Sequence, residues 1–351
     1  DATSPETEER TSRYDGADGV GIGSRLRRLL FAMRFGDVEL LLSPEITADS
    51  KVLLRRNIIE RVEALAPFLS YDPDPYLVVT PDGRLTWLLD AYTLTDRFPY
   101  SRPEATDLSE SGSANYVRNS VKVVIDAYDG RPTFYVVDDR DPLIRAWRAA
   151  FPTLFRPASE MPAALRAHWR YPEGLFRLQA EIYTRYHITH PAEFYNANDV
   201  WVIPDESFEQ GGNRQATQPY YVTLKLQDEQ KAEFVLMLPF TPRARQNMVG
   251  WLAARSDGDA YGQLVVYRFN EGEQFYGPAQ IESVIDQDTD ISQQLTLWNQ
   301  SGSQVLRGNL LIVPIDGTLL YVEPLYLASS SADALPELKR LGYAGSLSTG
   351  T

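Results

Sequence analysis

The chain contains no cysteine. That absence removes disulfides, thiolate zinc sites, iron–sulfur clusters and cysteine nucleophiles together. It does not identify a compartment, because a reduced cytoplasmic protein and an exported protein without disulfides both satisfy it. Histidine is nearly as scarce: only His168, His187 and His190 occur in 351 residues. Few side chains can therefore serve as a neutral-pH general base. No apolar run of the sequence approaches the roughly 18 residues needed to span a bilayer. Positive charge is also short, with 34 Lys and Arg against 48 Asp and Glu and a net charge of −14. Such a body repels nucleic-acid phosphates, so no nucleic-acid partner is expected.

What remains suits a packed protein. Hydrophobic residues make up 43% of the chain, enough for a core. The 20 Tyr and 6 Trp fit sheet faces and half-buried surfaces. The length permits one large or two ordinary domains. The first residues, "DATSPETEERTSRYDGADGVGIGS", are polar, acidic and glycine-rich, without initiator Met or signal peptide. They read as a flexible linker, 1–23, inside a longer protein.

Periodicity then supplies elements. "RLRRLLFAMRF" sets Leu26, Leu29, Leu30 and Met33 on one helical face after Ser24. "SKVLLRRNIIERVEALAPF" predicts a second helix, capped by Thr47, Asp49 or Ser50 and closed by Pro67. Three hairpins are predicted on Asp-Gly turns, at Asp82-Gly83, Asp129-Gly130 and Asp316-Gly317. Further strands are expected at 220–226, 233–238 and 263–269. Helices are expected from Pro142, near Ser159, from Pro172, through "PRARQNMVGWLAARS" and through "DISQQLTLWNQSG". In the last, Asp290 and Gln293 have capping-box spacing and Gly302 is the stop. Antiparallel β-hairpins interspersed with amphipathic helices, without a βαβ rhythm, predict an α+β fold. The expected layout is a first lobe at 24–155, a second lobe at 156–335 packed on it, and a flexible tail at 336–351.

The site candidates are weak. His187 and His190 lie three apart, but His187 continues a stripe through Phe176, Ala180 and Tyr183, which is a packing face. His190 precedes Pro191 and is biased out of helical geometry. Asp286, Asp288 and Asp290 have the spacing of the first three ligands of a calcium loop. The sixth position is Ile291 rather than Gly and the twelfth Leu297 rather than Glu, so an acidic helix start is the better reading. "GADGVGIGSR" lacks the preceding strand and the GK[ST] ending of a phosphate loop. "DDRD" (138–141) and "SDGDAYG" (256–262) offer carboxylates, for which solvated turns are the default. No G-x-S-x-G elbow is present. No metal or other cofactor is expected. The more specific candidate is Arg25, Arg27, Arg28 and Arg34 beside the Leu26–Met33 face. Such a helix lies on an anionic membrane surface or packs its leucines onto the core.

Several long runs carry a resemblance. "LLRRNIIERVEALAPFLSYDPDPYLVVTPDGRLTWLLDAYTLTDRFPYS", "NYVRNSVKVVIDAYDGRPTFYV", "EFVLMLPFTP", "WLAARSDGDAYG", "ISQQLTLWNQ" and "LLYVEPLYL" resemble the extracytoplasmic region of an uncharacterised bacterial integral membrane protein family, UPF0182. The resemblance runs from about Gly19 to Glu337; "LGYAGSLSTGT" does not continue it. It implies a domain held outside the cell membrane by the protein's own N-terminal transmembrane region. It carries no catalytic residue. A non-catalytic domain that binds an envelope component, a transported molecule or a partner protein is the resulting expectation. An envelope hydrolase using a carboxylate pair and a structural assembly domain are the alternatives.

Overall fold

A computed structural model describes residues 14–207, 214–226, 229–270, 272–299, 302–315, 318–329 and 335–345. The fold is α+β, and the chain divides into two compact units, Asp1–Ala164 and Leu165–Thr351. The boundary falls inside the short helix that follows Met161, some residues beyond the expected one at 155.

In the first unit the segment expected to be a linker is partly ordered. Strand β1 (Val20–Gly21) leads into helix α1 (Arg25–Phe35) and the short α2 (Glu39–Leu42), and then pairs with β2 (Lys51–Val52). Residues 1–13 lie outside the described residues. The helix expected from Lys51 is confined to α3 (Ile58–Leu65), capped by Asn57 rather than by Thr47, Asp49 or Ser50. Asn57 Oδ1 accepts from the amides of Ile59 and Glu60 at 3.0 and 3.3 Å, and the Lys51–Val52 backbone is already spent on β1.

The sheet of this unit begins with β3 (Ser70–Tyr71), β4 (Tyr76–Val79) and β5 (Leu85–Thr95). A side ladder of β6 (Glu104–Ala105) and β7 (Ser113–Ala114) precedes β8 (Tyr116–Asp126) and β9 (Pro132–Val136). Helix α4 (Pro142–Ala150) and strand β10 (Phe155–Pro157) follow. The strand order is β10-β9-β8-β5-β3, with β4 also on β5. Both expected hairpins are present, β4–β5 around Asp82-Gly83 and β8–β9 around Asp129-Gly130. Gly83 and Gly130 adopt φ of 79° and 68°, where a side chain is strained. Leu89, Ala91, Val121, Val123 and Phe134 face Val62 of α3 and Ile144 of α4 in one core. Phe68 stacks on Trp147 at 4.1 Å along its margin.

The helix expected near Ser159 shrinks to α5 (Ala163–Arg166). The second unit continues with α6 (Glu173–Tyr186), α7 (Pro191–Asn196), β11 (Trp201–Val202), β12 (Asp205–Ser207) and β13 (Arg214–Ala216). Strands β14 (Tyr220–Lys225), β15 (Ala232–Pro242), β16 (Gly250–Arg255) and β17 (Leu264–Arg268) come next. Of these, β16 corrects the helix expected through "PRARQNMVGWLAARS". It is a central strand between β15 and β17, and its Gly250 backbone is so close to Tyr267 O that an added Cβ would lie 2.1 Å from it. Alternate residues of β15 face opposite ways: Val235 and Met237 join one core, Leu236, Leu238 and Phe240 another. Being covered on both faces is why "EFVLMLPF" reads as an unbroken apolar run.

Helices α8 (Pro278–Gln287) and α9 (Thr289–Trp298) precede a four-stranded sheet. It is made of β18 (Ser303–Arg307), β19 (Leu311–Ile315), β20 (Thr318–Ser329) and β21 (Glu337–Gly345). β19 and β20 pair antiparallel as the third Asp-Gly turn predicts, although Asp316 and Gly317 lie outside the described residues. The expected tail contains β21, hydrogen-bonded to β20. No helix among the described residues is long and apolar enough to cross a membrane.

Candidate functional site

The arginine helix is built locally. Ser24 Oγ accepts from the Arg27 amide at 3.3 Å at its start, and Gly36, at φ 67°, ends it. Two of its arginines hold it to the preceding chain. Arg27 donates to Gly21 O at 3.1 Å, and Arg28 donates to Ile22 O at 3.2 Å and Ile46 O at 2.6 Å. Arg25 and Arg34 are exposed and form no ion pair among the described residues. Only Ala32 of the helix is buried. Leu26, Leu30 and Met33 are 67%, 57% and 74% exposed, and Val38 and Leu42 carry the apolar surface on to α2. The reading in which these leucines pack onto the core is therefore corrected: Leu26, Leu29 and Leu30 are exposed. Residues 24–36 hold four arginines and no acidic residue in a chain of net charge −14. Exposed apolar side chains and arginines thus share one helix.

The histidines do not converge. His187 ends α6, and its ring stacks on Trp201 at 3.8 Å. Its Nδ1 lies 3.1 Å from Tyr183 O and its Nε2 2.8 Å from Asp199 O, so backbone carbonyls occupy both nitrogens. His190 is exposed at the start of α7, and His168 is exposed. Among the described residues no group of three or more His, Asp and Glu could hold a metal ion. The aspartates of 286–290 serve helices. Asp288 caps α9 through the amides of Asp290 and Ile291, Asp290 sits in the first turn, and Asp286 pairs with Arg307 at 2.9 Å. The other acidic runs are structural as well. Asp257 accepts from the Phe234 amide at 2.9 Å, and Asp141 caps α4 while accepting hydrogen bonds from the hydroxyls of Thr93, Ser120 and Tyr116. Those bonds hold the Asp141 carboxyl below its ordinary range although burial opposes them.

A buried carboxylate cluster in the second unit escaped the sequence reading. Glu206 of β12, Glu282 of α8 and Glu323 of β20 are 2%, 3% and 1% exposed, with Arg307 of β18 beside them. Arg307 grips Glu323 with Nε and Nη2, at 2.7 and 2.8 Å. Glu282 accepts from the Ser207 amide at 2.6 Å and from Ser207 Oγ at 2.9 Å. Glu206 Oε2 accepts from the Leu310 amide at 3.2 Å, and its Oε1 has no hydrogen-bonding partner among the described residues. Burial pushes the Glu206 carboxyl up to about 7; the Leu310 and Gln218 amides oppose this, and Glu282 and Glu323 add to it. One signal was available: Leu319, Tyr321, Glu323 and Leu325 share a face in the alternation of β20, which places a glutamate among core residues. Nothing in the sequence brings Glu206 and Glu282 to it.

Depressions also mark the described surface. One of about 610 Å³ is lined by polar α9 residues such as Ser292, Gln293 and Thr296. One of about 430 Å³ lies by Arg255, whose guanidinium is paired with Glu229 and Glu233. Neither presents a facing pair of unpaired carboxylates.

Residues 1–298 match the model of the uncharacterised protein family UPF0182. The chain is 54% identical to a UPF0182 protein of Methanospirillum hungatei over 94% of its own length and 36% of that protein. A UPF0182 protein of Moorella thermoacetica is 52% identical over 94% of the chain and 35% of the relative. One of Cupriavidus necator is 52% identical over 93% and 36%. The chain thus spans about a third of the length of these curated relatives. No solved structure matches it.

Proposed function

We propose, from the premise that this chain belongs to the uncharacterised protein family UPF0182, that it is a non-catalytic extracytoplasmic domain of a longer multi-spanning membrane protein and meets anionic lipid through α1 and α2. The exposed leucines and Met33 beside Arg25 and Arg34 carry this reading. Fully burying a leucine or methionine side chain contributes about 1.5–3 kcal/mol. An arginine near an anionic surface adds about 1 kcal/mol. Lipid satisfies both demands at once, with acyl chains for the leucines and phosphates for the arginines. Glu206 and Glu282, at 2% and 3% exposure, offer no access to a substrate and do not make the carboxylate pair that a hydrolase requires.

In a flotation assay at low salt the chain is expected to rise with vesicles containing phosphatidylglycerol and to stay behind with pure phosphatidylcholine. Leu30→Glu with Met33→Glu should reduce the floated fraction at least tenfold. Failure of the unaltered chain to float removes the lipid reading. A dimer in sedimentation that the same pair of substitutions breaks would assign the face to a second copy. Placement outside the membrane is tested in the full-length protein. A single cysteine at Asn198, in a chain that contributes none of its own, should react with an impermeant maleimide in intact cells. Labelling only after lysis would put the domain on the other side.

A further inference from the structure

We infer that the second unit contains a buried proton-binding site, in which Glu206 takes up one proton and thereby holds β12 against α8 and β20. The inference rests on how the cluster is assembled and is independent of lipid. Three glutamates are enclosed with one arginine, and that arginine is committed: two of its nitrogens hold Glu323 and the third holds Asp286. Glu282 is satisfied by Ser207, the neighbour of Glu206 on β12. Among the described residues Glu206 alone has neither a cation nor a full set of donors, and its Oε1 is buried without a partner. An unpaired buried carbonyl oxygen costs far less than an unpaired buried charge, so the neutral acid is the form this enclosure accepts.

The charged and titratable groups around Glu206 come from every packed element. Glu282 and Asp286 stand on α8, Glu323 on β20, Arg307 on β18, and Tyr220 on β14. Arg214 on β13 turns its guanidinium to Asp205 O at 3.1 Å. Tyr220 is locked by the Ile312 backbone, at 2.8 Å to the carbonyl and 3.1 Å to the amide, and stays neutral because burial raises it. Deprotonation of Glu206 therefore adds a third carboxylate charge beside Glu282 and Glu323, with no uncommitted cation among the described residues to neutralise it. Ser207, which ties β12 to α8, is the next residue along the chain.

The folded carboxyl is raised from 4.5 to about 7. The stability that the proton contributes is fully present below the unfolded value and is lost as pH rises through the folded one. At one power of ten per pH unit, the unfolding constant of the second unit should rise about 100- to 300-fold between pH 4.5 and 7.5 from this group. Urea unfolding of the 351-residue chain across that range should show the loss, and Glu206→Gln, which keeps the neutral shape, should abolish it. Carboxyl 13C NMR of the unaltered chain should show Glu206, assigned by loss of its resonance in the glutamine variant or by selective labelling, titrating near neutrality. A Glu206 resonance titrating below pH 5, or an unchanged pH slope in a folded Glu206→Gln variant, would overturn the site.

Discussion

Lys122→Met should destabilise the first unit by about 3–5 kcal/mol, the usual cost of removing one partner of a buried ion pair. Urea unfolding at pH 8 measures it. The side chain of Lys122 is 1% exposed and its Nζ lies 2.5 Å from Asp90 Oδ1, itself 5% exposed. Both project from the β5–β8 pair, where Asp90 and Lys122 are directly opposed. Asp72 lies close by, held by the Tyr92 hydroxyl, and raises the Asp90 carboxyl further, burial being the larger cause and Lys122 the opposing one. Methionine fills the volume but leaves Asp90 facing Asp72 with no cation. Because the Asp90 carboxyl is already displaced upward, the variant has a remedy: it takes up a proton. The deficit should therefore shrink in acid, since a raised carboxyl contributes stability below its unfolded pKa that is lost as pH rises. Adding Asp90→Leu to Lys122→Met should restore most of the loss, because replacing a whole buried pair by apolar groups is often neutral. A double variant no more stable than the single one would show that Asp90 is held by other groups.

Arg307→Met should do comparable damage in the second unit, again about 3–5 kcal/mol. The guanidinium is 4% exposed and is the cation shared by Glu323 and Asp286. Its removal leaves Glu323 with Glu206 and Glu282 as neighbours. Burial already pushes the Glu323 carboxyl upward against the pull of Arg307. Without that pull it should protonate, and the loss should again be largest at high pH. Arg307→Met combined with Glu323→Leu should recover stability. Circular dichroism with urea at pH 6 and 8 separates the cases. If the single substitution costs under about 1 kcal/mol, the level of an exposed pair, the cluster is wetter than its burial indicates.

Short-range chemistry was legible in the sequence, and long-range juxtaposition was not. Asp82-Gly83 and Asp129-Gly130 turned where expected because a two-residue turn needs little beyond itself. Asp141 before Pro142, and Pro172 before Glu173, started helices for equally local reasons. The failures had distant causes. "GWLAAR" scans as a helix but lies between β15 and β17, whose backbones offer it hydrogen bonds on both sides. The helix expected from Lys51 lost its first residues to β1, about thirty positions earlier. His187 read as a packing residue in sequence and is one, stacked on Trp201.

The sequence by itself determined the absence of thiol chemistry, the acidic body, the turns, the helix starts after Ser24, Asp141 and Pro172, and the α+β class. Each of these depends on composition or on residues a few positions apart. The tertiary structure alone decided which apolar and which charged side chains are enclosed. Leu26 and Met33 have the spacing of a core face and stay outside, because Ala32 is the one residue of their helix that the rest of the unit buries. Glu206, Glu282 and Glu323 have the composition of a surface and lie inside, because β12, α8 and β20 close over them. Burial is a property of what comes to lie opposite a residue, and the spacing of its own segment does not contain it.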